Sequence, residues 1–176
     1  MADFYQSLPF VFRSEGGYVN DPRDPGGETN YGISQRFFCT IDYVNPEGIR
    51  ILSVKDLSKD DCIRIYKTYW WDDQRYNEFT NQLLATKLFD TAVNIGKMPC
   101  ARILQRSCNK LLSPHVQLLV VDGVIGDNTI QTANRLNGYQ IVVNIRDYLI
   151  NYYLDLIENN PRLEVYKKGW LKRAIS

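Results

Sequence analysis

Apolar residues recur at helical spacing along most of this chain. Phe4, Leu8, Val11 and Phe12 share one face of a helix predicted over residues 3 to 14, although Pro9 is expected to disturb its first turn or move its start to a cap at Ser7. Residues 34 to 40 suit a short helix. Residues 56 to 71 suit a longer one, with Ser58 as its cap ahead of Asp60-Asp61 and with Leu57, Cys62, Ile65, Tyr66 and Tyr69 facing inward. A helix over residues 83 to 95 is closed by Gly96, and Pro99 opens the next, at its first turn, to about Leu112. Residues 127 to 137 and 139 to 159 follow, and Pro161 starts a last helix to Ala174. Residues 17 to 33 hold too much glycine and proline for a helix and read as a small hairpin or loop, while Asn45-Pro46-Glu47-Gly48 is a turn. The pattern predicts a mainly α fold with minor strand content.

Composition adds bounds. At 176 residues and 44% hydrophobic, the chain can bury one substantial core, as one domain or two small ones. Its net charge of +1 is unevenly spread, since residues 1 to 98 carry 11 basic and 14 acidic groups and residues 99 to 176 carry 10 and 6. The back half is the basic one, suited to an anionic polymer. Nucleic acid is not indicated, because there is no dense Lys/Arg stripe or recognition motif. Cys39, Cys62, Cys100 and Cys108 lack metal-type spacing and His115 is the single histidine, so no metal and no cofactor is expected. The cysteines read equally as disulfides in an oxidising compartment or as buried thiols. The chain begins Met1-Ala2-Asp3-Phe4-Tyr5 without a recognisable signal peptide, and no apolar run is long enough to span a membrane.

The chemistry concentrates in residues 14 to 34, where Glu15, Asp21, Asp24 and Glu28 share a short stretch with five glycines, directly behind the first helix. Gly16-Gly17 would stop that helix and leave Glu15 on placed backbone. Asn20, Asp21 and Asp24, with Pro22 and Pro25, force turns that bring the chain back toward the helix end. Glu15 and one aspartate then face each other across a cleft. A carboxyl pair in unequal environments, one protonated and one ionised, is what glycoside hydrolysis needs. A phosphate-cradling loop is excluded, because Gly26-Gly27-Glu28-Thr29 ends in an acid where Gly-Lys-Ser or Gly-Lys-Thr is required. A calcium loop of the EF-hand kind fails on ligand spacing.

The run from Glu15-Gly16-Gly17-Tyr18-Val19-Asn20-Asp21-Pro22 to Thr29-Asn30-Tyr31-Gly32-Ile33 closely resembles the N-terminal signature of the family 108 glycoside hydrolases. These are secretion-activator and toxin-release muramidases related to phage endolysins. Tyr69-Trp70-Trp71-Asp72 resembles the family's Tyr-Trp element, and Leu88 to Gly96 its Phe-Asp-x-Ala-Val-Asn-x-Gly helix. Val121-Asp122-Gly123 to Thr129 resembles a turn of the peptidoglycan-binding region that follows in many members, and Gly169-Trp170-Leu171-Lys172-Arg173 a terminal element. The resemblance implies a lysozyme-like helical fold, with a hydrolase region over residues 1–98 and a helical peptidoglycan-binding region over 99–176 packed with it as one body. The substrate implied is bacterial peptidoglycan, its glycan strands and stem peptides, and the role is wall remodelling, protein secretion or lysis. That substrate lies outside the cytoplasmic membrane, so a non-classical or holin-like route must deliver the protein to the periplasm. A monomer is the default.

By resemblance Glu15 is the general acid, held protonated by apolar neighbours for which Phe12, Tyr18 and Tyr31 are the candidates. Asp24 is the favoured partner, as base or water-positioning residue, because phage-type lysozymes also leave eight residues between their Glu and Asp. Asp21 is its rival. Thr29 stands one residue short of the phage spacing and is a candidate for orienting water. Glu28 reads as a solvated loop charge. The phage-like spacing points to inversion, which wants the carboxyl groups about 6.5 to 9.5 Å apart. Tyr18, Tyr31, Trp70 and Trp71 are candidate sugar platforms, but adjacent tryptophans on a helix diverge by about 100°, so at most one faces a cleft. Asn94 is a candidate for an acetamido group, and Asp90, one turn before it, reads as a buried structural group. An N-acetylmuramidase is the leading reading. A lytic transglycosylase or a non-catalytic peptidoglycan-binding protein is the alternative.

Overall fold

The computed structural model of the chain describes residues 1–14, 17–20 and 27–176, with backbone alone at residues 13 and 14. Two compact units form, one of residues Asp3–Gln74 and one of Arg75–Ser176 with Met1–Ala2.

In the first unit, α1 (Phe4–Ser14) begins where the Asp3 carboxylate accepts the Gln6 N–H at 2.9 Å. The expected start at Ser7 is not used. Ser7 is buried and its hydroxyl bonds back to the Asp3 carbonyl. Pro9 lies inside the helix on its exposed side, where water can serve the carbonyl that proline leaves unpaired. Phe4 and Val11 carry the buried face.

β1 (Thr29–Asn30) and β2 (Ile33–Ser34) pair antiparallel, Thr29 opposite Ser34 and Asn30 opposite Ile33. The two-residue turn between them has positive φ at both Tyr31 (46°) and Gly32 (81°), the arrangement that matches the twist of a tight hairpin. Ser34 then caps α2 (Gln35–Phe38) by accepting the Phe37 N–H. α3 (Lys59–Tyr66) starts at a full capping box between Ser58 and Asp61. Asp61 is buried, which pushes its carboxyl up. Hydrogen bonds from Ser58 and from the Tyr43 hydroxyl at 2.7 Å outweigh this and hold it below the usual range.

The expected helix to Trp71 continues past Tyr66 as π-helix over Lys67–Asp72. Bonding to the fifth residue delays the inward face by one position. Tyr69 is only half-buried, and Trp70 and Trp71 turn inward together.

The second unit packs α4 (Gln82–Ile95), α5 (Lys97–Asn109), α6 (Asp127–Arg135) and α8 (Lys167–Ile175) around α7 (Gly138–Asn159). Ile141, Val142, Ile145, Leu149, Tyr153 and Ile157 form the buried stripe of α7, at steps of three and four. Gly96, at φ 91°, ends α4 and begins α5, so Pro99 falls at the third helical position, within the first turn. Its missing N–H costs nothing there, because the first four amides have no intrahelical acceptor. Residues Pro161–Tyr166 are 3-10 helix leading into α8.

Asp90 on α4 pairs with Arg173 on α8 at 3.1 Å, both largely buried. Beside them Lys87 donates to the carbonyls of Arg173 (2.8 Å) and Ser176 (3.3 Å), and burial pushes its ammonium down to about 8. All four cysteines are free thiols. Burial pushes Cys62, Cys100 and Cys108 up to about 12, which leaves them unreactive at neutral pH. Among the described residues no helix is long and apolar enough to cross a membrane.

Candidate active site

Glu15, Asp21 and Asp24, the residues expected to carry the acid and its partner, lie outside the described residues. Their frame is described. α1 ends at Ser14, one residue before Glu15. Val19 and Thr29 exchange two backbone hydrogen bonds, 2.7 and 2.9 Å, and so pin together the two ends of the segment that contains Asp21 and Asp24. The Asn20 amide reaches the Glu28 carboxylate at 3.4 Å across the same neck.

The hairpin is fastened from below. Asn30, 4% exposed, donates through Nδ2 to the carbonyls of Val54 (2.8 Å) and Leu57 (3.1 Å). The Tyr66 hydroxyl donates to the Tyr31 carbonyl at 2.9 Å, steadying a left-handed residue that is uncommon outside glycine. Phe12, near the end of α1, lies 5.8 Å from the rings of both Tyr31 and Tyr66, with the Lys59 ammonium over its face. An aromatic wall thus stands beside the last turn before Glu15.

Tyr18 is 41% exposed. Partial desolvation, with the Glu28 carboxylate that it bonds, raises its phenol above the ordinary value. Thr29 is half-buried, and its hydroxyl makes a long 3.4 Å bond to the Gly27 carbonyl. Trp70 packs 4.4 Å from Phe37 and 5.3 Å from Tyr66, and Trp71, 1% exposed, packs edge-on to Phe4. Both indoles are packing groups here, and Trp71 presents no face to a sugar. Asn94 belongs to the other unit, at the end of α4, where its Oδ1 accepts the Tyr153 hydroxyl.

Two residues gain roles that their sequence positions did not announce. Glu28 is the acceptor that ties Asn20 and Tyr18 together at the loop neck rather than a solvated charge. Asn30 is a buried strut, and only its place inside the Thr-Asn-Tyr-Gly run marks it.

A family model described as glycosyl hydrolase 108 matches residues 8–96, half of the chain and all of this frame. The chain belongs to the glycosyl hydrolase 108 family. A second family model, described as a predicted peptidoglycan domain, matches residues 100–175. Among solved structures, SagA of Brucella abortus is similar at 26% identity and a TM-score of 0.74, over 97% of this chain and 88% of that one. No match was found among curated proteins. The mainly α, lysozyme-like fold expected from sequence holds, and this glycosyl hydrolase 108 member is a glycoside hydrolase with peptidoglycan as its partner.

In its peptidoglycan domain the Asp-Gly turn is built around Gln105, which is 1% exposed. The Gln105 Nε2 donates to Asp122 (2.7 Å) and to the Val124 carbonyl (3.0 Å), while its Oε1 accepts the Gly123 N–H (3.0 Å). These bonds, Gln105 first and the Val124 N–H next, hold the Asp122 carboxyl below its usual range. Gly123 has φ 87°, and a Cβ there would meet the Met98 side chain at 2.7 Å.

Proposed function

We propose that this glycosyl hydrolase 108 member is an N-acetylmuramidase that hydrolyses the β-1,4 bond between N-acetylmuramic acid and N-acetylglucosamine. Glu15 is the general acid that protonates the leaving oxygen. Asp24 is the base that activates or positions water, Asp21 is its rival, and Thr29 helps orient that water. The family match across the residues that bear the motif carries the reading. Two features of the frame support it. The aromatic wall of Phe12, Tyr31 and Tyr66 is an apolar surface of the kind that favours a protonated carboxylic acid. The Val19–Thr29 pairing joins the residues that flank the aspartate-bearing segment. Tyr18, with an exposed ring, is the foremost sugar platform of those considered.

The enzyme acts on the wall outside the cytoplasmic membrane, in remodelling, secretion or lysis. Digestion of purified peptidoglycan followed by mass spectrometry tests the chemistry. Fragments ending in reducing muramic acid are expected. Anhydro-muramic ends, one water lighter, would assign a lytic transglycosylase instead, and binding without any fragments would leave a peptidoglycan-binding protein.

A further inference from the structure

Within the second unit, the segment before α6 and the exposed side of α6 enclose a cleft of about 680 Å³. We infer that this cleft binds the stem peptide of peptidoglycan, a short peptide with free carboxylates, by backbone pairing along residues 117–121 and a carboxylate contact at Arg135. The inference rests on the peptidoglycan reading above and names which part of the polymer the cleft takes.

Three observations carry it. First, residues 117–121 run without secondary structure, yet one point is rigidly held: Asn109 donates to the Leu119 carbonyl and accepts the Leu119 N–H, both at 2.8 Å. Among the described residues, the backbone of Gln117, Leu118, Val120 and Val121 makes no hydrogen bond. From Leu118 onward exposure alternates as on a strand, Leu118 at 57% and Val120 at 75% each followed by a half-buried residue, Leu119 and Val121. A fixed, unpaired edge of this kind accepts an extended peptide as an added strand.

Second, among the described residues no aromatic side chain lines the cleft. Pyranose rings are recognised chiefly on aromatic faces, so the lining favours the peptide over the glycan. Leu118, Val120 and Val124 offer aliphatic contacts suited to alanine methyls, and Asn128 and Gln131 offer amides for peptide groups.

Third, the charges are sorted. Asp122 is engaged by Gln105 and the Val124 N–H, and Asp127 by Arg75 at 2.7 Å. Arg135 is exposed and has no ion-pair partner among the described residues. It is left as the cleft's cation for a peptide carboxylate.

The test titrates the full chain, isotope-labelled, with a synthetic stem tetrapeptide and separately with a tetramer of N-acetylglucosamine, following backbone amide shifts. The tetrapeptide is expected to shift the amides of Leu118, Val120 and Arg135, and Arg135→Glu to weaken its binding about tenfold or more. Shifts in this cleft from the sugar alone, no shift from either, or unchanged affinity in Arg135→Glu would overturn the inference. Intact sacculi are tested alongside. If wild type cuts them while the tetrapeptide leaves the cleft unmoved, only this inference fails; if sacculi are neither bound nor cut, the peptidoglycan reading beneath it fails.

Discussion

Asn30→Ala should loosen the active-site hairpin by a calculable amount. The substitution removes two hydrogen bonds, to Val54 and Leu57, at a side chain that is 4% exposed. Each bond contributes about 1 kcal/mol net; the Val54 carbonyl keeps the Leu57 N–H at 3.2 Å, but the Leu57 carbonyl is left buried without that donor, which raises the cost to about 2–4 kcal/mol in total. At about 1.4 kcal/mol per tenfold, the middle of that range is a change of roughly 150-fold in the unfolding equilibrium. Asn30→Asp keeps the shape but turns an acceptor toward two acceptors, and it buries a charge, so it should cost more than alanine. Its carboxyl would be harder to ionise in the native state, so that penalty is absent at low pH and grows as pH rises through the carboxylate range. The assay is urea unfolding followed by tryptophan emission in a Trp170→Phe background. The remaining indoles, Trp70 and Trp71, then report on the unit that holds Asn30. A loss within about 0.5 kcal/mol for alanine, the range of ordinary surface changes, or an aspartate variant as stable as wild type, would refute the strut.

Further outcomes follow from the second unit. Gly123→Ala places a Cβ 2.7 Å from Met98 at a φ of 87° and should destabilise by roughly 1–3 kcal/mol, seen as a lower melting temperature together with weaker tetrapeptide binding. Asp90→Ala removes the carboxylate that Arg173, 16% exposed at its side chain, pairs with at 3.1 Å, and should cost about 3–5 kcal/mol; the double change Asp90→Leu with Arg173→Met should recover much of that loss in denaturant melts. Lys87 has a native value of about 8 against an ordinary 10.5, so the unfolded chain holds more protons between those values and stability gains with pH there. The stability of wild type minus that of Lys87→Met should therefore climb by on the order of 3 kcal/mol across that window, and a flat difference would count against the buried ammonium.

Much of this was legible before any coordinates. The helices follow the spacing of their apolar residues, and Ser58 and Asp61 form the capping box that their types announce. What was not legible depends on packing at a distance. The π-helical run from Lys67 to Asp72 turns both tryptophans inward, and an α-helical period places them about 100° apart. Pro9 reads locally as a helix breaker, yet only burial shows that its side of α1 faces water. Tyr31 takes a left-handed conformation that tyrosine does not favour, and the signal was the glycine after it rather than the residue itself. Asn30 gives no hint of the carbonyls it joins, because they lie 24 and 27 residues away. The family was legible through the length of the Glu15 motif. Glu28 was misjudged because its partners, Tyr18 and Asn20, meet it only across the loop neck.

The central claim is that Glu15 supplies the proton to the departing sugar. Turnover of purified peptidoglycan by wild type and Glu15→Gln, measured as reducing ends released over time, tests it most directly. The account predicts a fall of about 10²- to 10⁴-fold for the amide, the usual contribution of a positioned general acid, with binding to sacculi retained. Equal rates of release from the two proteins would contradict it.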